Sequence, residues 1–386
     1  MTSLLFQSIS ITLFLGMMFV ISVSNAILMK KISRFEGILH GPLVSVLIPA
    51  RNEEKNISRC VYSLLNQDYR NLELIVLDDS SSDATLQILE SMTSEFSNLR
   101  VIKGEALPEG WLGKHWACHQ LAREAKGEIL LFTDADTVHA SSTVSHAIGV
   151  MIGEKTDLLT AIVKERTDTL GELITIPFMI HSVFSIFPLA IAYGKRFKSL
   201  AVTSGQFMMF RKQSYLSIGG HEAVKDHGVD DISLGRLTKK AGMKWRLYDA
   251  SDLVECKMYD GFKAAYFGFL KNYFSLFDYR IIPAAFVWSW MLTLDFFPLI
   301  VALLFIFGVA IPESAGILSL ISLTLSFSMW FFASAKFSLR PLVIFLYPLI
   351  TIISSIIGFH SIIVHLCGAA KWKGRVLVKK KSRLFL

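Results

Sequence analysis

Ile129-Leu130-Leu131-Phe132-Thr133-Asp134-Ala135-Asp136 is an apolar run that ends in two carboxylates one residue apart. Leu74-Ile75-Val76-Leu77-Asp78-Asp79 repeats the theme upstream. An open α/β sheet places its ligand site beyond the C-terminal ends of its strands, where these carboxylates would lie. In an extended segment, side chains two apart point the same way. Asp134 and Asp136 therefore suit one hard divalent cation, Mg²⁺ or Mn²⁺, bridging phosphate oxygens, or one carboxylate on the cation and the other on a sugar hydroxyl.

The segments around these runs alternate. Leu43 to Pro49 reads as a buried strand, and Ile57 to Asn66 has helical apolar spacing at Ile57, Val61, Leu64 and Leu65. Leu72 to Leu77 is the next strand, followed by a helix after Ser80-Ser81-Ser82-Asp83, in which Asp83 has the chemistry of a cap. Leu99 to Ile102 is a third strand, Ala117 to Ala125 a helix, and Glu128 to Thr133 a fourth strand. This order predicts an α/β domain with a doubly wound, mixed, mostly parallel sheet. Neither Gly-x-Gly-x-x-Gly nor a Gly-x-x-x-x-Gly-Lys-Ser/Thr loop is present, which disfavours nicotinamide enzymes and P-loop ATPases.

At 386 residues, 52% hydrophobic and 18% charged, the chain is too apolar for an ordinary soluble enzyme. Leu5 to Met29 is long enough to cross a hydrocarbon core of roughly 30 Å. The basic cluster Lys30, Lys31 and Arg34 follows that run rather than preceding it, as an uncleaved anchor with its far end in the cytoplasm would have it. About Ile282 to Ala310, Ile317 to Ala335 and Leu342 to Cys367 read as further spans. The expected organisation is an anchor over 1–30, a cytoplasmic domain over 31–280, a transmembrane region over 281–368 and a basic tail over 369–386. The protein is thus expected in the cell membrane, multi-pass, with the membrane itself as a partner. One conflict stands: three full C-terminal spans would carry the tail's Lys379, Lys380, Lys381 and Arg383 to the side opposite the domain, against the positive-inside tendency. A re-entrant or interfacial segment would remove it.

The formal charge of +7 falls partly on membrane flanks, which suits anionic headgroups. No basic patch interleaved with aromatics calls for nucleic acid. Cys60, Cys118, Cys256 and Cys367 lack disulfide or metal spacing, as in a reducing compartment.

Further residues with chemistry to offer cluster in two places. Gly110-Trp111-Leu112-Gly113-Lys114-His115-Trp116 supplies a phosphate contact in Lys114 and tryptophans that would shape a sugar pocket. Asp230-Asp231 precedes a helical run, where one carboxylate can take a proton from an acceptor. His115, His221 and His227 lie near these clusters without metal spacing and read as packing or hydrogen-bonding residues. Leu170 to Tyr193 is apolar but broken by Pro177, His181 and Pro188, and is expected as an interfacial, acceptor-side element rather than a span.

With these residues in place, the chain resembles the family-2 glycosyltransferases, inverting enzymes of the GT-A fold that use nucleotide-diphosphate sugars. The resemblance rests on Val46-Leu47-Ile48-Pro49-Ala50-Arg51-Asn52-Glu53-Glu54, Val76 to Asp83, Asp134-Ala135-Asp136 and Asp230-Asp231-x-x-Leu234, in that order. It implies Asp79 and Glu53 as nucleotide-sugar contacts, Asp136 as the metal ligand and Asp134 beside the ribose or the metal. Asp231 falls at the catalytic aspartate, with Asp230 at the acid before it. Gly110 to Cys118, Gly219-Gly220-His221, Lys257-Met258-Tyr259, Gly268 to Asn272 and Trp372-Lys373-Gly374-Arg375 look like the membrane-bound branch. That branch includes the hopene-associated and carotenoid-acid (4,4'-diaponeurosporenoate) glycosyltransferases, with ceramide glucosyltransferase more distant. It implies transfer of a hexose, glucose first, from a UDP-sugar to a lipidic acceptor such as a carotenoid acid or other terpenoid. The Gln-x-x-Arg-Trp motif of processive synthases is absent between Gly268 and Arg280, so the diphosphate contacts fall to Lys271, Arg280 or Arg375. A polyprenyl phosphate or polysaccharide precursor as acceptor, and an inactive membrane scaffold with this fold, are the competing readings.

Overall fold

The computed structural model describes residues 2–194, 197, 200–368, 371–372, 375–376 and 382–385, with backbone only at 371–372 and 375–376. Strands β1 (Val44–Ala50), β2 (Leu72–Asp78), β3 (Leu99–Lys103) and β4 (Ile129–Phe132) alternate with helices α2 (Ile57–Leu65), α3 (Thr85–Thr93) and α4 (Gly113–Glu124), after an N-terminal α1 (Thr2–Leu28). Next come β5 (Thr137–His139), α5 (Thr143–Gly153), β6 (Leu158–Ile162) and β7 (Lys164–Glu165). The chain continues through α6 (Leu170–Leu173), α7 (Pro177–Ile186), α8 (Leu189–Ala192), β8 (Met208–Arg211), α9 (Lys212–Ser217) and α10 (Asp230–Lys240). It closes with β9 (Trp245–Asp249), β10 (Val254–Cys256), α11 (Gly261–Asn272), α12 (Ile281–Ile306), α13 (Glu313–Phe337) and α14 (Val343–Leu366).

The main sheet has the order β3-β2-β1-β4-β8-β6-β9. Only β8 runs against its neighbours; the other pairings are parallel. All four residues of β4 are buried, as are all but one of β1, because helices cover both faces and leave no solvent side to alternate with. The sheet is mixed and mostly parallel, as the pattern predicts. Its register sets the site: Ala50 pairs with Asp78 and Leu47 with Phe132, so the residues following β1, β2 and β4 emerge along one edge. A second sheet, β5-β10-β7, places Cys256 between Thr137 and Glu165 just beyond that edge.

Two expected elements differ in detail. The helix expected from Ala117 begins at Gly113, which takes Lys114 and His115 out of a loop and into the first turn of α4. Asp230 and Asp231 lie within the first turn of α10 rather than before it. There two carboxylates meet the positive end of the helix dipole, which favours them.

Helices α1, α12, α13 and α14 are each long and apolar enough to cross a membrane. On α1 the exposed residues Phe6, Leu13, Val20 and Ile27 recur every seventh position, while Ile11, Leu15, Met18 and Ser22 are buried. Its inner face meets α13 through small polar residues, with the Thr12 hydroxyl 2.9 Å from that of Ser322. Close approach of this kind joins helices where no hydrophobic force separates them from lipid. Two clasps bind this bundle to the domain. Asn25 donates to the carbonyls of Phe184 and Phe187, both at 2.8 Å, and accepts from the Leu189 amide at 3.2 Å. Lys336 near the end of α13 donates to the Met29 carbonyl at 2.8 Å and stands 3.7 Å from Asp249, at the end of β9. The segment from Leu170 to Tyr193 is therefore no span: α7 wedges between bundle and domain, with His181 stacked on Trp330 at 4.0 Å.

Candidate active site

A cavity of about 850 Å³ opens at the C-terminal edge of the main sheet. One end is polar and carries Glu53, Asp79, Lys114, Asp134, Asp136, Glu165, Asp230 and Asp231. The other end is apolar, walled by Phe178, Val183 and Phe187 on or beside α7, Phe269 on α11, and Val287, Trp288 and Met291 on α12. Residues on β1, α4, β7 and α10, and just past β2 and β4, thus share one volume with the early turns of α12.

Each polar residue arrives there for a local reason. Asp79 follows the last residue of β2, its amide donating to the Ala50 carbonyl at 2.8 Å. Asp134 and Asp136 sit on the turn from β4 to β5, held by the Thr137 hydroxyl on the Asp134 carbonyl at 2.8 Å and by the Lys257 amide on the Asp136 carbonyl at 3.0 Å. Lys114 Nζ donates to Asp134 Oδ1 at 2.5 Å. Asp231 accepts from the Gly205 amide at 2.8 Å through Oδ2 and from the Ile232 amide at 2.6 Å through Oδ1. A Cβ at Gly205 would lie 3.2 Å from Lys114 Nζ, 3.6 Å from Asp231 Oδ2 and 3.9 Å from Asp134 Oδ2. The absent side chain is what lets the two acidic clusters and the lysine converge.

Electrostatics separate the aspartates of the α10 pair. Burial works against ionisation of Asp230, but His115, His221 and Lys114 hold its carboxyl well below the usual range. Asp231 is pushed up to about 7, first by burial and then by the negative charge of Asp230 beside it. Burial also raises Asp136 to about 7, helped by the charges of Asp134 and Glu53. Lys114 stays firmly protonated: burial opposes its charge, but Asp134 and Asp230 outweigh it. The pattern is one fixed anion, Asp230, beside one carboxylate that titrates near neutrality, Asp231, which is how neighbouring acids take different roles.

Asp134, Asp136 and Glu53 line the cavity as hard oxygen donors whose negative charges act on one another, and a divalent cation suits them by charge and donor type. A different cluster, Cys118, His221 and Asp230, has potential ligand atoms within 4.8 Å of one another. Those three residues are buried, and His221 Nδ1 is already engaged by the Tyr215 hydroxyl at 2.8 Å, with Nε2 3.5 Å from Asp230 Oδ2. That arrangement braces Asp230 from behind, and only its Asp230 carboxylate offers a hard oxygen donor that lines the cavity, the other two donors being a thiol and an imidazole.

The structure gathers Glu53, Asp79, Lys114, Asp134, Asp136, Asp230 and Asp231 as the sequence suggests, and Lys271 also lines the cavity. Arg280 is not among the lining residues. The side chain of Arg375, with Lys373 and Gly374 beside it, lies outside the described residues. His115 and His221 are buried; His221 is hydrogen-bonded to Tyr215, whereas neither ring nitrogen of His115, which lines the cavity, has a hydrogen-bond partner among the described residues. Asp83 caps α3, accepting from the Thr85 amide at 3.0 Å. Trp111 and Trp116 do not shape the cavity; they pack on each other and on His119, since the early start of α4 turns their faces away.

Glu165, Gln206 and Gly205 were not legible in the sequence. Glu165 accepts from Gln206 Nε2 at 2.5 Å, while its second oxygen is buried with no hydrogen-bond partner. Burial, then the charges of Asp136 and Asp134, push it up to about 8 against the lowering bond from Gln206. In sequence Lys164-Glu165-Arg166 looks like a solvated turn; only pairing of β7 with β10 turns Glu165 inward.

Residues 45–219 match the family model described as "Glycosyl transferase family 2". Among curated proteins, the 4,4'-diaponeurosporenoate glycosyltransferase of Staphylococcus haemolyticus is 28% identical over 244 residues, 59% of this chain and 60% of that protein. The beta-monoglucosyldiacylglycerol synthase of Trichormus variabilis is 36% identical over 116 residues, 30% of this chain and 24% of that one. The matched stretch thus spans about three-fifths of the former relative's length. Among solved structures, the mannosyltransferase PcManGT of Pyrobaculum calidifontis, in complex with GDP-Man and Mn²⁺, superposes with a TM-score of 0.54 at 18% identity. That superposition covers 94% of this chain and 99% of the other, and shows the shared GT-A architecture.

Proposed function

We propose that this chain, which carries a family-2 glycosyltransferase domain on a GT-A fold, is an inverting enzyme that moves a hexose from a nucleotide-diphosphate sugar to a lipidic acceptor. The observation that carries the reading is a single cavity whose acidic end is continuous with a wall of α7 and α12. A water-soluble acceptor would have no use for Phe178, Val183, Val287 and Trp288 in that wall, whereas a lipid tail buries apolar area there at about 25 cal/mol per Å².

At the donor end, Asp79 and Glu53 accept hydrogen bonds from the nucleoside, and Lys114 contacts the diphosphate. Asp136, with Asp134, would hold Mg²⁺ or Mn²⁺. When bound, that cation neutralises charge on the departing nucleoside diphosphate. Asp231 takes the proton of an acceptor hydroxyl, or orients an acceptor carboxylate, as the acceptor attacks the anomeric carbon opposite the leaving group. Asp230, lying as an anion beside protonated Lys114, raises the proton affinity of Asp231 next to it. By the relatives' names, a carotenoid acid or other terpenoid is the acceptor to try first and UDP-glucose the donor. Lys30, Lys31, Arg34, Lys336 and Arg340 gather at the domain end of the bundle, so the domain faces the cytoplasm of a multi-pass protein of the cell membrane.

The test is purified protein with radiolabelled UDP-glucose and fractionated membrane lipid, the product identified by mass spectrometry. Label in a lipid of the predicted mass supports the reading. Label only in water-soluble polymer defeats it.

A further inference from the structure

Helix α14 has the length and composition of a span, yet both of its ends are tied to the catalytic domain. At its start, Lys336 anchors the end of α13 to the Met29 carbonyl, and Ser338 reverses the chain with φ of 54°. Arg340 Nη1 then donates at 3.5 Å to the carbonyl of Asp168, which lies between β7 and α6. At its other end, the Tyr266 hydroxyl is 2.7 Å from His360 Nδ1, and Ser361 donates to the Leu270 carbonyl at 2.5 Å while accepting from the Phe274 amide at 3.1 Å. The chain beyond it returns to the same place: the Arg383 amide donates to Tyr279 at 3.1 Å, and Ile281 donates back to Arg383 at 3.0 Å. Tyr279 itself lines the cavity.

Twenty-four residues make a rod of about 36 Å, ample to cross a core of roughly 30 Å. A helix that crosses must leave its ends on opposite faces, and one soluble domain cannot touch both. We propose that α14 does not traverse the bilayer but lies against the catalytic domain as a membrane-surface helix, with its outer face in the boundary between acyl chains and headgroups. One face is packed: Gly358 admits Trp288 of α12 so closely that a Cβ there would lie 2.2 Å from the indole. The opposite face exposes Phe345, Leu349, Ile356 and Ile363 at spacings of four and seven, a lipid-facing stripe. The neighbouring α11 exposes Phe262 and Phe267, so the stripe is continuous with a second helix of the domain.

The chain then crosses three times, through α1, α12 and α13, and residues 382–385 stay on the domain's side. This eases the charge conflict in the sequence: the far-side connection from Phe307 to Pro312 has no Lys or Arg, and Arg383 joins the other cations on the domain's side. It also sets α11 and α14 level with the apolar mouth of the cavity, where an acceptor leaves the leaflet.

Cys367, just past α14, is exposed, whereas Cys60, Cys118 and Cys256 are buried. The full-length protein in sealed vesicles of one orientation is treated with a membrane-impermeant maleimide. In a Cys367→Ser background, Ser97→Cys reports the domain side and Ser314→Cys the far side. Cys367 is expected to label from the Ser97 side and not from the Ser314 side. Spin labels at Phe345, Leu349, Ile356 and Ile363 should report similar, shallow depths. Labelling of Cys367 from the Ser314 side, or depth that peaks at the helix centre, overturns the proposal. Neither readout depends on glycosyl transfer, so failure here leaves the proposed activity standing.

Discussion

Replacing Asp231 by Asn removes a proton acceptor and keeps the side chain's size. The carboxylate accepts from Gly205 and Ile232 amides, at 2.8 and 2.6 Å, and Asn can serve only one of them with its single oxygen. Leaving the other N–H unserved costs on the order of 1–3 kcal/mol. Against that, the substitution relieves a carboxylate that burial and Asp230 both hold back from ionising, so folding and donor binding should survive. Transfer to a hydroxyl acceptor should fall roughly 10²–10⁴-fold. With Asp231 at about 7, half of the wild-type enzyme carries the base form at pH 7. At pH 6 that share is about a tenth, so the wild-type rate should drop about tenfold from its plateau while the variant's residual rate stays flat. The assay is lipid product per unit time from labelled UDP-glucose at saturating donor, between pH 5.5 and 8.5, with donor affinity measured by calorimetry. A carboxylate acceptor, ionised already with a pKa of about 4, would shrink both effects without restoring the wild-type rate. Equal rates for the two proteins would refute the assignment and turn attention to Asp230.

Asp136→Ala should abolish the Mn²⁺-dependent part of UDP binding while the protein still folds and inserts; unchanged metal-dependent affinity in calorimetry would exclude the ligand role. Gly205→Ala, which sets a methyl 3.2 Å from Lys114 Nζ and 3.6 Å from Asp231, should lower kcat with little loss of Tm, and wild-type turnover would show that the convergence is not needed. Glu165→Gln addresses stability. Because the folded pKa of Glu165 is raised to about 8 from an ordinary 4.5, the native state binds the extra proton between those values. Wild-type stability should therefore fall as pH rises through that window, by at most about 1.4 kcal/mol per pH unit. The variant lacks this term, so its Tm advantage should grow from pH 5 to 8; parallel Tm curves would contradict it.

The parts of the fold that depend on local pattern were legible. The four strands of the parallel half lie within a residue or two of their expected bounds, because each buried run gives way within a residue or two to polar residues or glycine, Arg51, Asp79, Gly104 and Asp134 among them. The acidic residues of the cavity were legible too, since each follows an apolar strand or opens a helix. What pairing alone decides was not. Glu165 turns inward only because β7 lies beside β10, and Gly205 matters only because α4, α10 and the turn after β4 meet above it. Trp111 and Trp116 misled for the converse reason: aromatic residues near a glycine and a lysine look like a pocket until the start of α4 fixes where they point.

The same limit governs the membrane region. Hydropathy counts apolar residues but cannot see what holds a helix's ends, so α14 and α12 look alike in sequence. The difference lies in a few polar contacts, Arg340 with Asp168 at one end and Ser361 with Leu270 at the other. Such contacts are placed where the catalytic domain meets the bundle, as are Asn25 and Lys336. They fix α7 and α12 relative to the sheet edge, and so fix the apolar wall relative to Asp231. The proposed lipid acceptor would have to present one polar atom to that carboxylate while its tail stays in apolar surroundings, and an error of about 1 Å in that placement can cost two orders of magnitude in rate. Polar clasps at the membrane junction are therefore as much a condition of the chemistry as the carboxylates themselves.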